Sequence, residues 1–534
     1  MNQEINNTTT EEINENNQAA PTVCKQKKAD VARIIVMIVC GLFIFVGSLL
    51  ACAANWYIKV YGDVGFDSIL FTLFADMDGV NQGIVQRFIF GAVVPALILT
   101  AIFMLVLFIK LKKPLEFATK KGKKIRIFPF YKVICVILSI MLCSGLTVFA
   151  ADKSGLFKYL RLSTQDTEIY EQKFIDPKNA KIEFPKNKQN LIVIFLESVE
   201  TTFVSTDNGG ARDYNLIPEL YELAQENLNF SHNGSFGGAT PLTGGTWTIG
   251  AMVTQTSGIP LQIPSDITDH NNYGQESFLP GVTSLSDILH ENGYYQALMV
   301  GSDAKFGGRR QYYEQHGTDA IFDLYTAKEE GIVPEDYYVW WGMEDKYLFQ
   351  YAKQELTNIS QRDEPFAFTM LTVDTHAWGG YVCEYCETDH NEQYDNVYTC
   401  ASKQVYEFVR WIQDQPFYEN TTIVITGDHL TMDNDYITRT VEKGYDRRVY
   451  NCFINSRIEP QNAKNRNFST LDMLPTILAS IGCEIEGNRL GLGTNLFSHA
   501  PTLCEIMGKE QFNDELSKRS EYYDNFYNLN EETE

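Results

Sequence analysis

Three apolar runs in the first 151 residues constrain this chain more than any other feature. They are Ile34–Ala54, Phe88–Ile109 and Val133–Ala151, each about the 20 residues a helix needs to cross a bilayer. Within hydrocarbon every backbone N–H and C=O must be satisfied inside the segment, so these runs are predicted to be helices. Between the second and third lie Lys110, Lys112, Lys113, Lys120, Lys121, Lys123, Lys124 and Arg126 against one acid, Glu116. Basic loops stay in the cytoplasm, and the head with Lys25, Lys27 and Lys28 follows the same rule. Three crossings from an inside N-terminus put everything after Asp152 outside the cell membrane. The expectation is a multi-pass protein with an extracytoplasmic domain.

The order of segments follows from composition. Residues 1–30 open with a stretch rich in Asn, Glu and Thr, and read as a disordered cytoplasmic head. Residues 31–151 form the membrane domain, 152–189 a polar linker, 190–510 the globular domain and 511–534 an acidic tail. Phe66, Ile69, Leu70, Leu73 and Phe74 repeat at helical spacing. Such a stripe suits a helix lying on the outer leaflet or one packed against the spans.

From Asn190 onward, short β-branched runs alternate with helical stretches. Leu191–Leu196, Gln296–Val300, Phe366–Val373 and Thr422–Thr426 are nearly continuous apolar runs, the pattern of parallel strands covered on both faces. Helices are predicted at Ser284–Asn292, Glu344–Leu356 and Ser402–Gln413. The fold class is therefore α/β, a doubly wound domain with its site at the carboxyl ends of the strands.

Charge narrows the function. A formal net charge of −24 excludes general nucleic-acid binding, which needs basic surface to displace phosphate counterions. It leaves room for a phosphate bound at a metal, where the ion dominates the local field. Cys383, Cys386 and Cys400 have a spacing compatible with zinc, with His390 nearby. A fourth ligand is not evident, and outside the cell a local disulfide is favoured over a structural zinc.

Each predicted strand end carries groups a metal could use: Glu197 after the first, Asp374-Thr375-His376 after the third, and Gly427-Asp428-His429 after the fourth. A helix N-cap explains one such acid, but three ends converge in a chain with only eight histidines. Mixed carboxylate and imidazole suit Mn²⁺ or Zn²⁺, and an all-oxygen set suits Mg²⁺. A glycine- and threonine-rich stretch, Gly237–Gly250, runs into the apolar Ile249–Val253. A helix starting near Thr246 would turn N–H groups toward an anion, and a cation there would make the hydroxyl a better nucleophile. A threonine N-cap without chemistry gives the same pattern.

Asn190-Leu-Ile-Val-Ile-Phe-Leu-Glu197-Ser198, Gly245-Thr-Trp-Thr-Ile-Gly-Ala-Met252, Ser257-Gly-Ile-Pro260, Asp374-Thr-His376 and Gly427-Asp428-His429 together resemble the sulfatase-like phosphoglycerol transferases. This group of the alkaline phosphatase superfamily includes lipoteichoic acid synthase and the glucan phosphoglycerol transferase. The resemblance implies one divalent metal, commonly Mn²⁺, held by Glu197, Thr246, Asp428 and His429. Thr246 is the implied nucleophile, with Thr248 the runner-up and Thr243 a third candidate. It also implies that His376 contacts phosphate or protonates the leaving oxygen, and that Arg309 clamps the phosphate. The implied reaction moves phosphoglycerol from phosphatidylglycerol in the lipid bilayer to a glycan or teichoic-acid-type acceptor, through a covalent phospho-threonine.

Two departures matter. Where lipoteichoic acid synthase carries a tryptophan beside the arginine, this chain has Gly307. No Cys/Ser-x-Pro-x-Arg motif stands where the nucleophile belongs, which disfavours sulfate ester hydrolysis. The rival readings are a phosphoethanolamine transferase on the same scaffold and a non-catalytic envelope-binding protein. Retention of every ligand position disfavours the last.

Overall fold

The computed structural model describes residues 12–62, 65–74, 82–112, 116–118, 124–126, 131–262 and 277–527. They divide into two compact units, one of residues 1–58 and 82–154, the other of residues 59–81 and 155–534.

The first unit is helical. Helix α1 (Glu12–Tyr61), helix α2 (Val94–Lys112, continued from a π-turn at Ile89–Val93) and helix α3 (Tyr131–Lys153) contain its apolar runs. Among the described residues, three stretches are long and apolar enough to cross a membrane: Val31–Tyr61, Val85–Leu107 and Lys132–Lys153. Ile38, Leu42, Leu105 and Met141 are exposed on their outer faces, while Cys40, Ala92, Ala96 and Ser139 are buried between them. Apolar outside and small inside is the pattern of helices that meet lipid, so this is a membrane protein. Helix α1 reaches back to Glu12, into the segment expected to lack regular structure, because a helix once nucleated propagates cheaply. Residues 1–11 and part of the basic loop lie outside the described residues.

The second unit is built on a six-stranded sheet. Its strands are β1 (Asn190–Leu196), β2 (Tyr295–Val300), β3 (Ala320–Phe322), β4 (Phe366–Leu371), β5 (Thr421–Gly427) and β6 (Asn451–Ile454). The spatial order is β3-β2-β4-β1-β5-β6, with every neighbour parallel except the antiparallel edge pair β5 and β6. Alternate residues of β1 enter two separate cores. Leu191, Val193 and Phe195 face one, and Ile192, Ile194 and Leu196 face the other. Each fully buried side chain of this kind contributes about 1.5–3 kcal/mol, which holds β1 at the centre and fixes where its carboxyl end emerges.

Helices cover both faces. Helix α4 (Thr248–Ser257) packs in the first core, while α6 (Asp345–Ile359) and α7 (Gln393–Gln413) pack in the second; α5 (Arg309–Gln315) lies at the end of β2. Helix α7 begins nine residues before the predicted start at Ser402. Its first turns are fixed by tertiary contacts, among them the Tyr394 hydroxyl, which donates to the Thr375 carbonyl at 2.5 Å.

Two expectations about the ends of this unit differ from what is seen. The linker contains short helices at Leu156–Ser163 and Ile169–Lys173, with Ile169 and Tyr170 buried. The acidic tail forms a helix at Lys509–Leu516, and Phe512, Leu516, Tyr523 and Phe526 are buried in the first core. These apolar residues are spaced among acids, so their burial is not evident from charge alone.

Candidate active site and metal centre

Glu197 leaves the end of β1 fully enclosed, and its backbone N–H donates to Thr372 Oγ1 at 3.0 Å. Ser198, in the left-handed region at φ 57°, turns back so that its hydroxyl donates to Glu197 Oε1 at 2.7 Å. The same turn aims the Ser198 N–H at Asp428 Oδ1, 2.8 Å away. Asp428 follows β5, whose last residue is Gly427. A Cβ at Gly427 would meet the Val199 carbonyl oxygen at 2.0 Å, so only glycine lets the two strand ends come together.

His429 completes the cluster. Its Nδ1 lies 2.8 Å from the Leu430 carbonyl, which takes the Nδ1–H and leaves the Nε2 lone pair facing inward. Nε2 lies 3.5 Å from Glu197 Oε1 and 3.3 Å from Asp428 Oδ2. All three residues are buried, with their ligand atoms within 4.8 Å of one another. Asp428 Oδ2 is enclosed and has no hydrogen-bond partner among the described residues. Two carboxylates, an inward lone pair and an unsatisfied oxygen fit a divalent cation better than they fit one another.

The electrostatics agree with that fit. Burial, and then the Glu197 charge, push the Asp428 carboxyl well above the usual carboxylate range. Burial works against ionising Glu197 too, yet His376 and His429 outweigh it and its carboxyl ends below the ordinary value. One negative charge is thus stable here, and a second needs a cation beside it.

The threonine at this cluster is Thr248, not Thr246. Thr248 Oγ1 lies 3.3 Å from Glu197 Oε2 and 3.3 Å from His429 Nε2. Helix α4 begins at Thr248, two residues later than expected, with Trp247 as an N-cap that makes no side-chain cap hydrogen bond. The first free N–H groups of the helix therefore surround Thr248. Thr246 and Thr243 line a separate cleft of about 520 Å³ with Phe66, Leu70 and Lys518.

His376 is half-buried beyond the metal cluster. Its Nδ1 lies 2.8 Å from the Ala377 carbonyl, again leaving Nε2 free to face the site. Loss of solvent lowers its pKa, only partly opposed by the Glu197 charge. Arg309 is buried, with its Nη2 donating to Ser302 Oγ at 2.9 Å and to the Asp303 carbonyl at 2.8 Å. Its Nε donates to the Phe306 carbonyl at 3.0 Å. Nη1 makes no hydrogen bond among the described residues, so one donor edge stays available. Burial brings this guanidinium down to about 10, where it remains charged at neutral pH. The turn before it requires Gly308 at φ 78°, pressed so closely on the Phe278 ring that a Cβ would lie 2.6 Å from it.

Three contributors are absent from the sequence reading. Trp341 stands 4.4 Å from the His376 ring and 5.6 Å from Phe306, so an aromatic reaches this corner although position 307 is glycine. The only hint was the aromatic run Tyr337–Trp341. Gln255 donates from Nε2 to the carbonyls of Gly427 and Asp428 at 3.1 and 3.3 Å, and takes the Thr426 hydroxyl at 2.9 Å. It fastens helix α4 to the end of β5. Asp345, at the start of α6, accepts the N–H groups of Val373 and Asp374 at 2.7 and 3.1 Å and so shapes the turn that carries His376.

Residues 189–483 match the Sulfatase family. A phosphoglycerol transferase I from Xanthomonas campestris pv. campestris is 28% identical over 378 residues, 69% of this chain and 50% of that protein. One from Salmonella choleraesuis is 28% identical over 482 residues, 88% of this chain and 57% of that protein. The chain thus spans about half the length of the curated relatives it matches. The solved lipoteichoic acid synthase LtaP from Listeria monocytogenes is similar at 19% identity and a TM-score of 0.47, covering 60% of this chain and 79% of that one.

Proposed function

Because the chain belongs to the sulfatase family, within the alkaline phosphatase superfamily, we propose that it transfers phosphoglycerol from phosphatidylglycerol to a glycan or polymer of the cell envelope. The observation that carries this reading is the convergence of Thr248 with Glu197, Asp428 and His429 at the carboxyl ends of β1 and β5. The basic loop after the second span supports a catalytic unit outside the cell, where no nucleotide donor is at hand and a lipid donor is.

The nucleophile in this reading is Thr248, which replaces Thr246. Glu197, Thr248, Asp428 and His429 would hold one divalent cation, Mn²⁺ or Zn²⁺ by the mixed donor set. Bound there, such an ion lowers the pKa of the threonine hydroxyl and offsets charge on the phosphoryl oxygens.

The protein's own groups do the rest. Arg309 turns its available edge to the phosphate and keeps it in line with Thr248. Thr248 Oγ1 attacks phosphorus, the bond to the diacylglycerol oxygen breaks, and that oxygen leaves with the proton that the Thr248 hydroxyl gives up. Phosphoglycerol then rests on Thr248. An acceptor hydroxyl attacks the same phosphorus, the bond to Thr248 Oγ1 breaks, and the acceptor's proton passes by way of His376 Nε2 to the departing Thr248 oxygen. The lowered pKa of His376 leaves it neutral at pH 7 and able to take that proton.

The test uses detergent-solubilised full-length protein, Mn²⁺ and phosphatidylglycerol labelled in its headgroup. Diacylglycerol release, with label on the protein that is lost when acceptor is added, supports the assignment. Release from phosphatidylethanolamine alone would move it to phosphoethanolamine transfer. A folded, metal-loaded protein inert toward both lipids would overturn it.

A further inference from the structure

A second cluster of metal-ligating side chains lies away from the catalytic centre, in the loop that carries His376. Cys383 Sγ is 3.6 Å from Cys386 Sγ and 3.7 Å from Cys400 Sγ, and all three sulfurs lie within 4.8 Å of one another. Cys383 and Cys386 sit on one tight turn, where the Cys386 N–H donates to the Cys383 carbonyl at 3.1 Å. Cys400 comes from helix α7.

Sulfurs around a tetrahedral zinc, each about 2.3 Å from the ion, lie about 3.8 Å apart. A disulfide would join two of these cysteines and leave the third without a partner. A cation engages all three at nearly the spacing they already hold. The surroundings point the same way. Gln404, one turn beyond Cys400 on α7, directs its Nε2 at Cys400 Sγ (3.4 Å) and Cys383 Sγ (3.8 Å), as donors do around metal-bound thiolates.

We propose that Cys383, Cys386 and Cys400 form a second metal site, a three-thiolate centre for one thiophilic divalent cation of the zinc class. No fourth His, Cys, Asp or Glu joins them among the described residues. His390, the nearby candidate, is stacked on Tyr214 with ring centroids 4.8 Å apart. The fourth coordination place is left to solvent or a small ligand on the half-buried Cys386 side. Each thiol gives its proton to solvent as its sulfur takes the ion, three protons per cation, so uptake weakens as pH falls. The bound ion ties the turn after His376 to helix α7. The site is independent of the catalytic metal and of the reaction assigned above.

Cobalt distinguishes the two centres. The full-length protein, purified in detergent under reducing conditions and stripped by chelator, is titrated with Co²⁺. Thiolate ligands give an intense near-ultraviolet charge-transfer band, which the oxygen and nitrogen ligands of the catalytic cluster cannot supply. The expected result is that band, saturating at one equivalent and lost in C383S and C400S. In the wild type, the three thiols should resist alkylation while the ion is bound and react once it is removed. Absence of the band while all three thiols are free would overturn the proposal. So would native protein in which two of these thiols react only after a reductant is added, since that is a disulfide.

Discussion

Thr248 Oγ1 stands 3.3 Å from His429 Nε2, although the two residues lie 181 positions apart and on different elements. The contact exists because helix α4 starts at Thr248 and β5 ends just before Asp428. In the T248A variant, diacylglycerol release and label on the protein should both fall at least about 1,000-fold, as for loss of a nucleophile. T246A should stay within about tenfold of the wild type. The two variants, assayed side by side with labelled lipid, decide which threonine reacts, and the reverse order would remove Thr248 from the mechanism.

Gln255 joins α4 to β5 through both ends of its amide. Gln255→Leu leaves the Gly427 and Asp428 carbonyls without their donor in a buried place, a loss of about 1–3 kcal/mol. It also loosens Asp428, so affinity for the catalytic metal should drop about 10-fold, the scale seen when groups behind a ligand are removed. Thermal unfolding and a Mn²⁺ titration measure the two effects. A variant with unchanged midpoint and affinity would show that the amide is only filling space.

Arg309 spends Nε and Nη2 on the protein and keeps one edge for substrate. R309A should lower kcat/KM for phosphatidylglycerol about 100- to 1,000-fold. R309K should recover no more than about tenfold of that, since an ammonium cannot bridge Phe306, Ser302 and a phosphate at once. Full recovery in lysine would mean that charge alone suffices.

Asp472 gives a pH signature in stability. Burial lifts its carboxyl to about 6, against the opposing N–H groups of Ser469 and Thr494. In the unfolded chain the proton is lost near pH 3.9. Between these values the folded state holds more protons, so the stability gained from this group is present at the acid end and is lost as pH rises through about 6. Two units correspond to roughly 3 kcal/mol. The unfolding midpoint of wild type relative to D472N should therefore fall by several degrees between pH 4.5 and pH 7. A constant difference would contradict the shift.

What was legible in the sequence, and what was not, has physical causes. The four central strands are readable because a strand covered on both faces must be apolar at nearly every position, as Leu191–Leu196 is. Strands β3 and β6 are three and four residues long, too short for any period to show. The metal-ligand candidates were visible because strand ends gather polar groups at one edge of the sheet. The start of helix α4 was expected two residues early because Trp247 occupies its cap, where the sequence offered Thr246 as the conventional capping residue. Trp341 and Asp345 reach the site from other elements, and Gln255, although on the helix of Thr248, meets the end of β5 only through packing.

The stretch after Lys509 carries a consequence for biogenesis. Thr167 donates to Glu515 at 2.6 Å, Arg519 and Gln165 share a backbone hydrogen bond of 2.9 Å, and Tyr170 packs on Tyr523 at 5.4 Å. These contacts join residues just beyond the third apolar helix to residues some 350 positions later. The segment that leaves that helix first must therefore wait for nearly the whole unit to be synthesised before its partners arrive. Until then Ile169, Tyr170 and Phe174 remain uncovered, and closing so long a loop is the slow, entropy-limited kind of step. Synthesis and folding of this unit are thus coupled in time, with the last helices acting as the clasp.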